Sequence, residues 1–177
     1  MIVVNLYGAP GAGKSTGAAY VFSQLKMRGV NAELVTEFAK DKVWEGSKAV
    51  FENQAYIFGK QYFRISRVKD KVDVVVTDSP IILSCFYGKN DPILGEEFNA
   101  FVKKVSASFC SLNAFIDRVK PYNPVGRFQT EEQSDEISQK LQNLLASYGV
   151  QLQHYPGDLN GYDKLVEATI KMLEAAK

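Results

Sequence analysis

The chain has 177 residues, of which 46% are hydrophobic and 23% are charged, and its formal net charge is +1. These values suit one compact domain over residues 1–177 with a sizeable core, and they exclude nucleic-acid binding driven by bulk positive charge. Cys85 and Cys110 are too few for a disulfide framework or a zinc site. No apolar run reaches the ~20 residues that cross a bilayer, and Met1–Leu6 lacks the basic start of a secretion signal. A cytoplasmic location without membrane contact is therefore expected.

The predicted elements alternate between strands and helices along the chain. The apolar run Ile2–Tyr7 ends at glycine, as a buried parallel strand does, and apolar residues at helical spacing predict a helix over Lys14–Gly29. Further strands are predicted at Asn31–Thr36, Lys71–Thr77, Leu112–Ile116 and Val150–His154. Further helices are predicted over Ser47–Asp70 with a break near Asn53 or Gly59, from about Ile81, over Gly95–Phe109, from Thr130 to Tyr148, and over Tyr162–Ala176. This alternation predicts an α/β fold with a parallel sheet covered by helices on both faces.

Ligands of such sheets bind beyond the carboxyl ends of the strands. That edge receives Gly8–Ser15 after the first strand, Glu37 after the second, Asp78 after the third and Arg118 after the fourth. These segments are therefore expected to lie along one rim.

The segment after the first strand, Gly8-Ala-Pro-Gly-Ala-Gly-Lys-Ser, has the G-x-x-x-x-G-K-[ST] spacing of a phosphate-binding P-loop. Its glycines allow backbone N–H groups to face a phosphate, and the following helix adds the positive end of its dipole. Lys14 is expected to reach the β- and γ-phosphates, and the hydroxyl of Ser15 to bind Mg²⁺. The predicted phosphate-binding residues are Gly8, Gly11, Ala12, Gly13, Lys14, Ser15 and Thr16.

The two carboxylates on the rim have alternative interpretations. Asp78 is placed to bind Mg²⁺ or its waters, or else it is a solvated acid that begins the turn before Pro80. Glu37 is placed to take a proton from an acceptor hydroxyl, or else it is a helix N-cap or a surface acid. The sequence leaves open which of the two is the base.

Arginines supply the remaining candidate contacts. Arg118 and Arg127 flank a Pro- and Gly-containing loop, from which an arginine is able to close over the γ-phosphate, or else Arg127 is a solvated surface residue. Gln54 and Arg64 share a helical face with apolar residues, and this face is either a wall of an acceptor pocket or ordinary helix packing.

Four segments together resemble the small P-loop nucleoside and nucleotide kinases. They are Gly8–Thr16, Thr36–Trp44, Asp78–Pro80 and Tyr122–Glu132, and the resemblance is greatest to the ribosylnicotinamide-kinase-like branch and the phage-encoded P-loop kinases near it. The resemblance implies a P-loop NTPase fold with a five-stranded parallel sheet, ATP with Mg²⁺, and a short lid at approximately 118–130.

The same resemblance suggests roles for individual residues. Arg127 corresponds to a lid arginine. Glu37 with Trp44 resembles the acid-then-aromatic element of deoxynucleoside kinases, in which the acid is the base, and Gln54 resembles their base-reading glutamine. Those kinases carry an acid–Arg pair after the third strand, whereas here Ser79 follows the acid, so the resemblance supports the broader kinase class better than this subgroup.

Three functions are consistent with these residues. The favoured one is an ATP-dependent phosphotransferase that acts on a hydroxyl or phosphate of a nucleoside- or nucleotide-like small molecule. A second is a kinase acting on a modified base or an end in DNA, which the basic stretch Lys60–Lys71 would permit against the near-neutral charge. A third is an ATPase or nucleotide switch without an acceptor; a GTPase is disfavoured because no Asn-Lys-x-Asp element is present. The oligomeric state is not predicted.

Overall fold

The computed structural model describes residues 1–91, 93–123 and 130–176. Five strands form one sheet in the order β2-β3-β1-β4-β5, and every neighbouring pair is parallel. Ile2 of the central strand lies opposite Val74 on one side and Cys110 on the other. The strands are β1 (Ile2–Tyr7), β2 (Ala32–Val35), β3 (Val74–Thr77), β4 (Cys110–Asp117) and β5 (Gln153–Pro156). The predicted five-stranded parallel α/β fold is confirmed.

Helices connect the strands and cover both faces of the sheet. They are α1 (Lys14–Met27), α2 (Phe38–Trp44), α3 (Lys48–Phe51), α4 (Gln54–Ser66), α5 (Leu83–Tyr87), α6 (Gly95–Ala107), α7 (Glu131–Ser147) and α8 (Leu159–Ala175), with a 3₁₀ turn at Gly88–Asn90. None of the helices in the described ranges has the length and apolar character to span a membrane.

Alternating residues of β1 supply two apolar cores, because successive strand side chains point to opposite faces. Val4 and Leu6 pack with α1 and α8 on one face, whereas Val3 and Tyr7 pack with the helices α4 to α7 on the other. All six residues of β1 are buried, as expected for a central strand covered on both sides. The loop that follows β1 is therefore anchored at the middle of the sheet.

The helical stretch predicted over Ser47–Asp70 is broken at Asn53 rather than at Gly59. The side chain of Asn53 accepts a hydrogen bond of 2.9 Å from the N–H of Tyr56 and so caps the start of α4. Gly59 lies inside α4, where a Cβ would meet no atom within 4 Å.

Other elements also differ from the prediction; the third strand, for example, begins at Val74 rather than at Lys71. The fifth strand was predicted at Val150–His154 but is observed at Gln153–Pro156, because the N–H of Val150 still bonds to Leu145 at the end of α7. Gly149, with φ of 71°, makes this helix end. The short helix α2 was not predicted, because its seven residues show no clear apolar period.

Candidate active site

The loop from Gly8 to Gly13 joins the central strand to α1 and has a backbone that favours glycine. Gly8, Gly11 and Gly13 have φ values of 144°, 84° and 102°. A Cβ on Gly8 would lie 2.8 Å from the backbone oxygen of Ile116. The spacing of the glycines is thus explained by backbone conformation and by the close approach of β4.

The start of α1 has no side-chain cap. Gly13 is its N-cap, no side chain caps the first turn, and the first turn contains no acid. The first N–H groups of the helix thus lack a side-chain partner, which suits an anion. The amine of Lys14 donates to the carbonyls of Gly8 (2.7 Å) and Ala9 (3.1 Å), so its charge lies beside the first residues of the loop. The predicted phosphate-binding residues therefore form a cradle that fits a polyphosphate.

Two helices that are distant in sequence hold this cradle by its carbonyls. The hydroxyl of Ser134 in α7 donates to Pro10 (2.8 Å), and the hydroxyl of Tyr162 in α8 donates to Gly13 (3.0 Å). A Cβ on Gly17 would lie 2.6 Å from the ring of Tyr162, so that ring packs directly on α1. The loop geometry thus depends on α7 and α8 as well as on its own glycines.

Ser15, Glu37 and Asp78 converge on one pocket of about 250 Å³, between α1 and the ends of β2 and β3. Asp78 is 6% exposed, and its carboxylate accepts a hydrogen bond of 3.1 Å from the backbone N–H of Glu37. The turns after β2 and β3 are thereby joined, and two carboxylates lie beside the phosphate-binding loop.

Gln61 of α4 supports the backbone next to Glu37. Its side-chain oxygen accepts a hydrogen bond of 3.1 Å from the N–H of Phe38, and its amide contacts Thr36 and Thr77 at 3.4 Å. Gln61 is 3% exposed, so these bonds are shielded from water. The position of Glu37 is therefore set by a buried side chain from the opposite face of β2.

Burial raises the pKa of Glu37 above its usual value, and the charge of Asp78 acts in the same direction. The amines of Lys14 and Lys40 oppose this effect, and the carboxylate of Asp41 adds weakly to it. A raised pKa makes a carboxylate a stronger proton acceptor, which suits the predicted base. Hydrogen bonding distinguishes the two carboxylates, because that of Asp78 already accepts a bond from the backbone N–H of Glu37.

Aromatic residues lie near this pocket. Trp44 lines it and is 81% exposed. Crowding of its hydroxyl raises the pKa of Tyr87 to about 12, and the charge of Glu37 contributes, although Tyr87 as a residue is 61% exposed. The effect of Glu37 indicates that the hydroxyl of Tyr87 lies in the same region as that carboxylate. Stacking on a flat ring is one use of such exposed aromatic side chains.

Gln54 and Arg64, both predicted to bind the acceptor, do not line the pocket with Glu37. Gln54 is 8% exposed at the start of α4, where its Cγ lies beside Gly88. Arg64 lines a second cleft and forms an ion pair of 2.7 Å with Asp41. The two residues lie on the same helix, but their spacing along α4 does not determine which of them faces the pocket beyond β2.

Arg118 lies on the other side of the phosphate-binding loop from Glu37. It borders a pocket of about 220 Å³ with Ala9 and Ala12, and it forms ion pairs with Glu131 (3.2 Å) and Asp135 (2.6 Å). One of its terminal nitrogens, Nη1, is buried without a hydrogen-bond partner in the described structure. Its proximity to the loop agrees with the predicted placement on the rim.

Arg127, the predicted lid arginine, lies outside the described residues, together with the other residues of 124–129 in the predicted lid at 118–130. The helix after this segment begins as predicted. Thr130 and Gln133 form the reciprocal capping box at the start of α7, with hydrogen bonds of 3.3 and 2.9 Å.

Together, the loop, the open helix start and the parallel sheet define a P-loop NTPase fold. Residues 3–160 match the model of the AAA domain family, and the chain belongs to that family.

Two solved structures of NadR protein are similar to this chain. One is a complex with NR (20% identity, TM-score 0.72, covering 96% of this chain and 50% of that one). The other is a complex with NAD and AMP-PNP (19% identity, TM-score 0.70, covering 99% and 50%). The chain thus spans about half the length of these proteins, and the predicted resemblance to the ribosylnicotinamide-kinase-like branch of P-loop kinases is confirmed in fold. No curated protein sequence gives a match.

Sequence reasoning did not find Ser134, Tyr162 or the role of Gln61. The hydrogen bonds of Ser134 and Tyr162 span 124 and 149 residues, so no local pattern indicates them. The sequence feature that comes nearest to indicating the Tyr162 contact is Gly17 inside α1, because a glycine in a helix interior suggests close packing by another element.

Proposed function

We propose that the chain is an ATP-dependent phosphotransferase that moves the γ-phosphoryl of ATP to a hydroxyl or phosphate of a nucleoside- or nucleotide-like small molecule. The observation that carries this proposal is the convergence of Ser15, Glu37 and Asp78 on one pocket beside the phosphate-binding loop. The complexes of NadR protein with NR and with AMP-PNP support the choice of ligands.

The donor atoms around Ser15 suit Mg²⁺ bound together with the triphosphate. Mg²⁺ prefers oxygen ligands and retains several waters, so one hydroxyl and one nearby carboxylate suffice. Ser15 and Asp78 would hold it, and Mg²⁺ supplies neutralisation of phosphate charge. Lys14 neutralises the β- and γ-phosphates, and the open start of α1 orients them.

Glu37 is the proposed base for the acceptor. Its carboxylate lies in the pocket, and its raised pKa favours removal of a proton from an acceptor hydroxyl as transfer proceeds. Exposed Trp44 offers a flat surface for an aromatic ring of the acceptor. Arg118 and Arg127 are proposed to contact phosphates from the lid side.

The chemistry favours transfer over simple hydrolysis. A water nucleophile requires only a small space next to the γ-phosphate, whereas a pocket of about 250 Å³ with an exposed tryptophan has room for part of a larger acceptor. An ATPase or nucleotide switch has no acceptor molecule to bind in this pocket.

The proposal is tested with γ-labelled ATP, Mg²⁺ and a panel of nucleosides, nucleotides, ribosylnicotinamide and DNA. We expect label in a small-molecule product and no transfer by Lys14→Ala, because the loop then lacks its cation. The Lys14→Ala protein should retain its circular dichroism spectrum and melting temperature. Label found only in inorganic phosphate would support the ATPase alternative, and label found in DNA would support the nucleic-acid alternative.

A further inference from the structure

A second cleft, of about 450 Å³, lies between the end of β2 and α4, next to the pocket that contains Glu37. We call it the α4 cleft. Its walls are the end of β2, the start of α2, and one face of α4 with its C-cap, which together contribute Lys60, Phe63, Arg64 and Arg67. These residues share a face because they are spaced by three or four positions on the helix.

The α4 cleft is positively charged. Its lining contains three cations, from Lys60, Arg64 and Arg67, and one acid, Asp41. Arg64 is neutralised by Asp41 at 2.7 Å, whereas the acid nearest Arg67 is Glu33 at 3.9 Å, the limit of an ion pair. Lys60 and Arg67 therefore supply charge that is only weakly compensated by the protein.

Aromatic surface accompanies this charge. Phe63 is 63% exposed in the cleft, and the guanidinium of Arg64 stacks on Phe38 at 5.2 Å from the ring centroid. The amine of Lys60 lies 5.3 Å from the ring of Tyr56, beside the cleft. Cations arranged around aromatic rings suit a ligand that has both a flat ring and an anionic group.

The α4 cleft adjoins the proposed acceptor site. Arg64 donates to the carbonyl of Thr36 at 3.2 Å, one residue before Glu37. Thr36 and Asp41 line both cavities. A molecule bound at Glu37 can therefore extend past Thr36 and Asp41 into the α4 cleft.

We propose that the α4 cleft binds a phosphate monoester carried by the acceptor, held by Lys60 and Arg67 while the reacting group lies at Glu37. This inference rests on the proposed function, and it narrows the acceptor from nucleoside- or nucleotide-like molecules to those that already carry a phosphate. Charge-assisted hydrogen bonds to phosphate give the selectivity.

The test measures binding, so that it does not depend on phosphoryl transfer. The protein is first saturated with Mg²⁺ and AMP-PNP, so that the phosphate-binding loop is filled. Nucleosides and the matching nucleoside 5′-monophosphates are then titrated by calorimetry. We expect at least one monophosphate to bind about tenfold or more tightly than its nucleoside, as befits a charge-assisted contact.

Two variants locate the phosphate contact. The double variant Lys60→Ala/Arg67→Ala should remove the preference for the monophosphate and leave AMP-PNP affinity unchanged. Lys69→Ala removes an exposed lysine of the same segment that does not line the cleft, and it should leave the preference intact.

The inference would be overturned by equal affinity for nucleosides and monophosphates, by no detectable binding of any monophosphate, or by a preference that survives in the double variant. A single-stranded oligonucleotide that binds more tightly than every monophosphate would overturn it in favour of a nucleic-acid groove. If the double variant loses the preference while wild-type protein transfers no phosphoryl group, the proposed function fails and the anion site stands.

Discussion

The hydroxyl of Tyr162 offers a test of whether α8 positions the phosphate-binding loop. Tyr162→Phe removes one hydrogen bond of 3.0 Å to the carbonyl of Gly13 and leaves the ring in place, since the residue is 1% exposed and packs on Gly17. The Gly13 carbonyl still accepts a bond of 2.8 Å from the N–H of Gly17. The carbonyl is therefore not left unpaired, and the larger desolvation cost of an orphaned group does not apply.

The expected cost is thus that of one net hydrogen bond, about 1 kcal/mol of unfolding free energy. A loop that is held less firmly loses more conformational freedom when nucleotide binds. ADP affinity should therefore weaken by up to about fivefold. Urea denaturation measures the first quantity, and titration with a fluorescent ADP analogue measures the second.

Tyr20→Phe is the matched control. Its hydroxyl donates to Asp163 at 2.7 Å on the exposed side of α1 and α8, away from the loop carbonyls. This variant should bind ADP like the wild type. If Tyr162→Phe also binds ADP with unchanged affinity, the positioning role of Tyr162 is refuted, whatever its effect on stability.

Other substitutions test neighbouring parts of the site. Ser134→Ala should weaken ADP binding by about fivefold through loss of one hydrogen bond to the loop, whereas Ser147→Ala, at the far end of α7, should not; the fluorescent titration measures both. Gly17→Ala should lower the unfolding free energy in urea by about 1–3 kcal/mol, because its Cβ would lie 2.6 Å from the Tyr162 ring. Glu37→Gln should strongly reduce transfer and raise the denaturation midpoint at neutral pH. Burial raises the pKa of Glu37 in the folded state, so the stability contributed by this group is present below its unfolded pKa of 4.5 and is lost as the pH rises through the folded value. The midpoint difference between wild type and Glu37→Gln should therefore shrink toward acid pH, and a variant less stable than wild type at neutral pH would contradict this sign.

The parts of the site that were predicted correctly depend on local sequence. The glycine spacing from Gly8 to Gly13 reports backbone conformation, which the φ values bear out. The parallel sheet then brings Glu37 and Asp78 to the same edge, because each follows a strand and the carboxyl ends of parallel strands align. Their position could be predicted without knowledge of any contact, whereas their chemical roles could not.

The contacts that were missed depend on tertiary packing. Gln54 and Arg64 were grouped by helical spacing, but α4 directs Arg64 into the α4 cleft and buries Gln54 near Gly88. Helical periodicity gives the angle between side chains and not the orientation of the helix against the sheet. Tyr162 contacts the loop only because α8 packs on α1, and this contact is a property of the whole fold.

The most direct test of the proposed phosphotransferase follows the γ-phosphoryl group itself. Wild-type protein is incubated with γ-labelled ATP and an acceptor identified in the panel, and the label on acceptor is compared with the label in inorganic phosphate. We predict that most label reaches the acceptor, and that Glu37→Gln reduces this product while ADP binding through the loop of Lys14 is retained. Label that accumulates only as inorganic phosphate, or transfer that is unaffected by Glu37→Gln, would contradict the account.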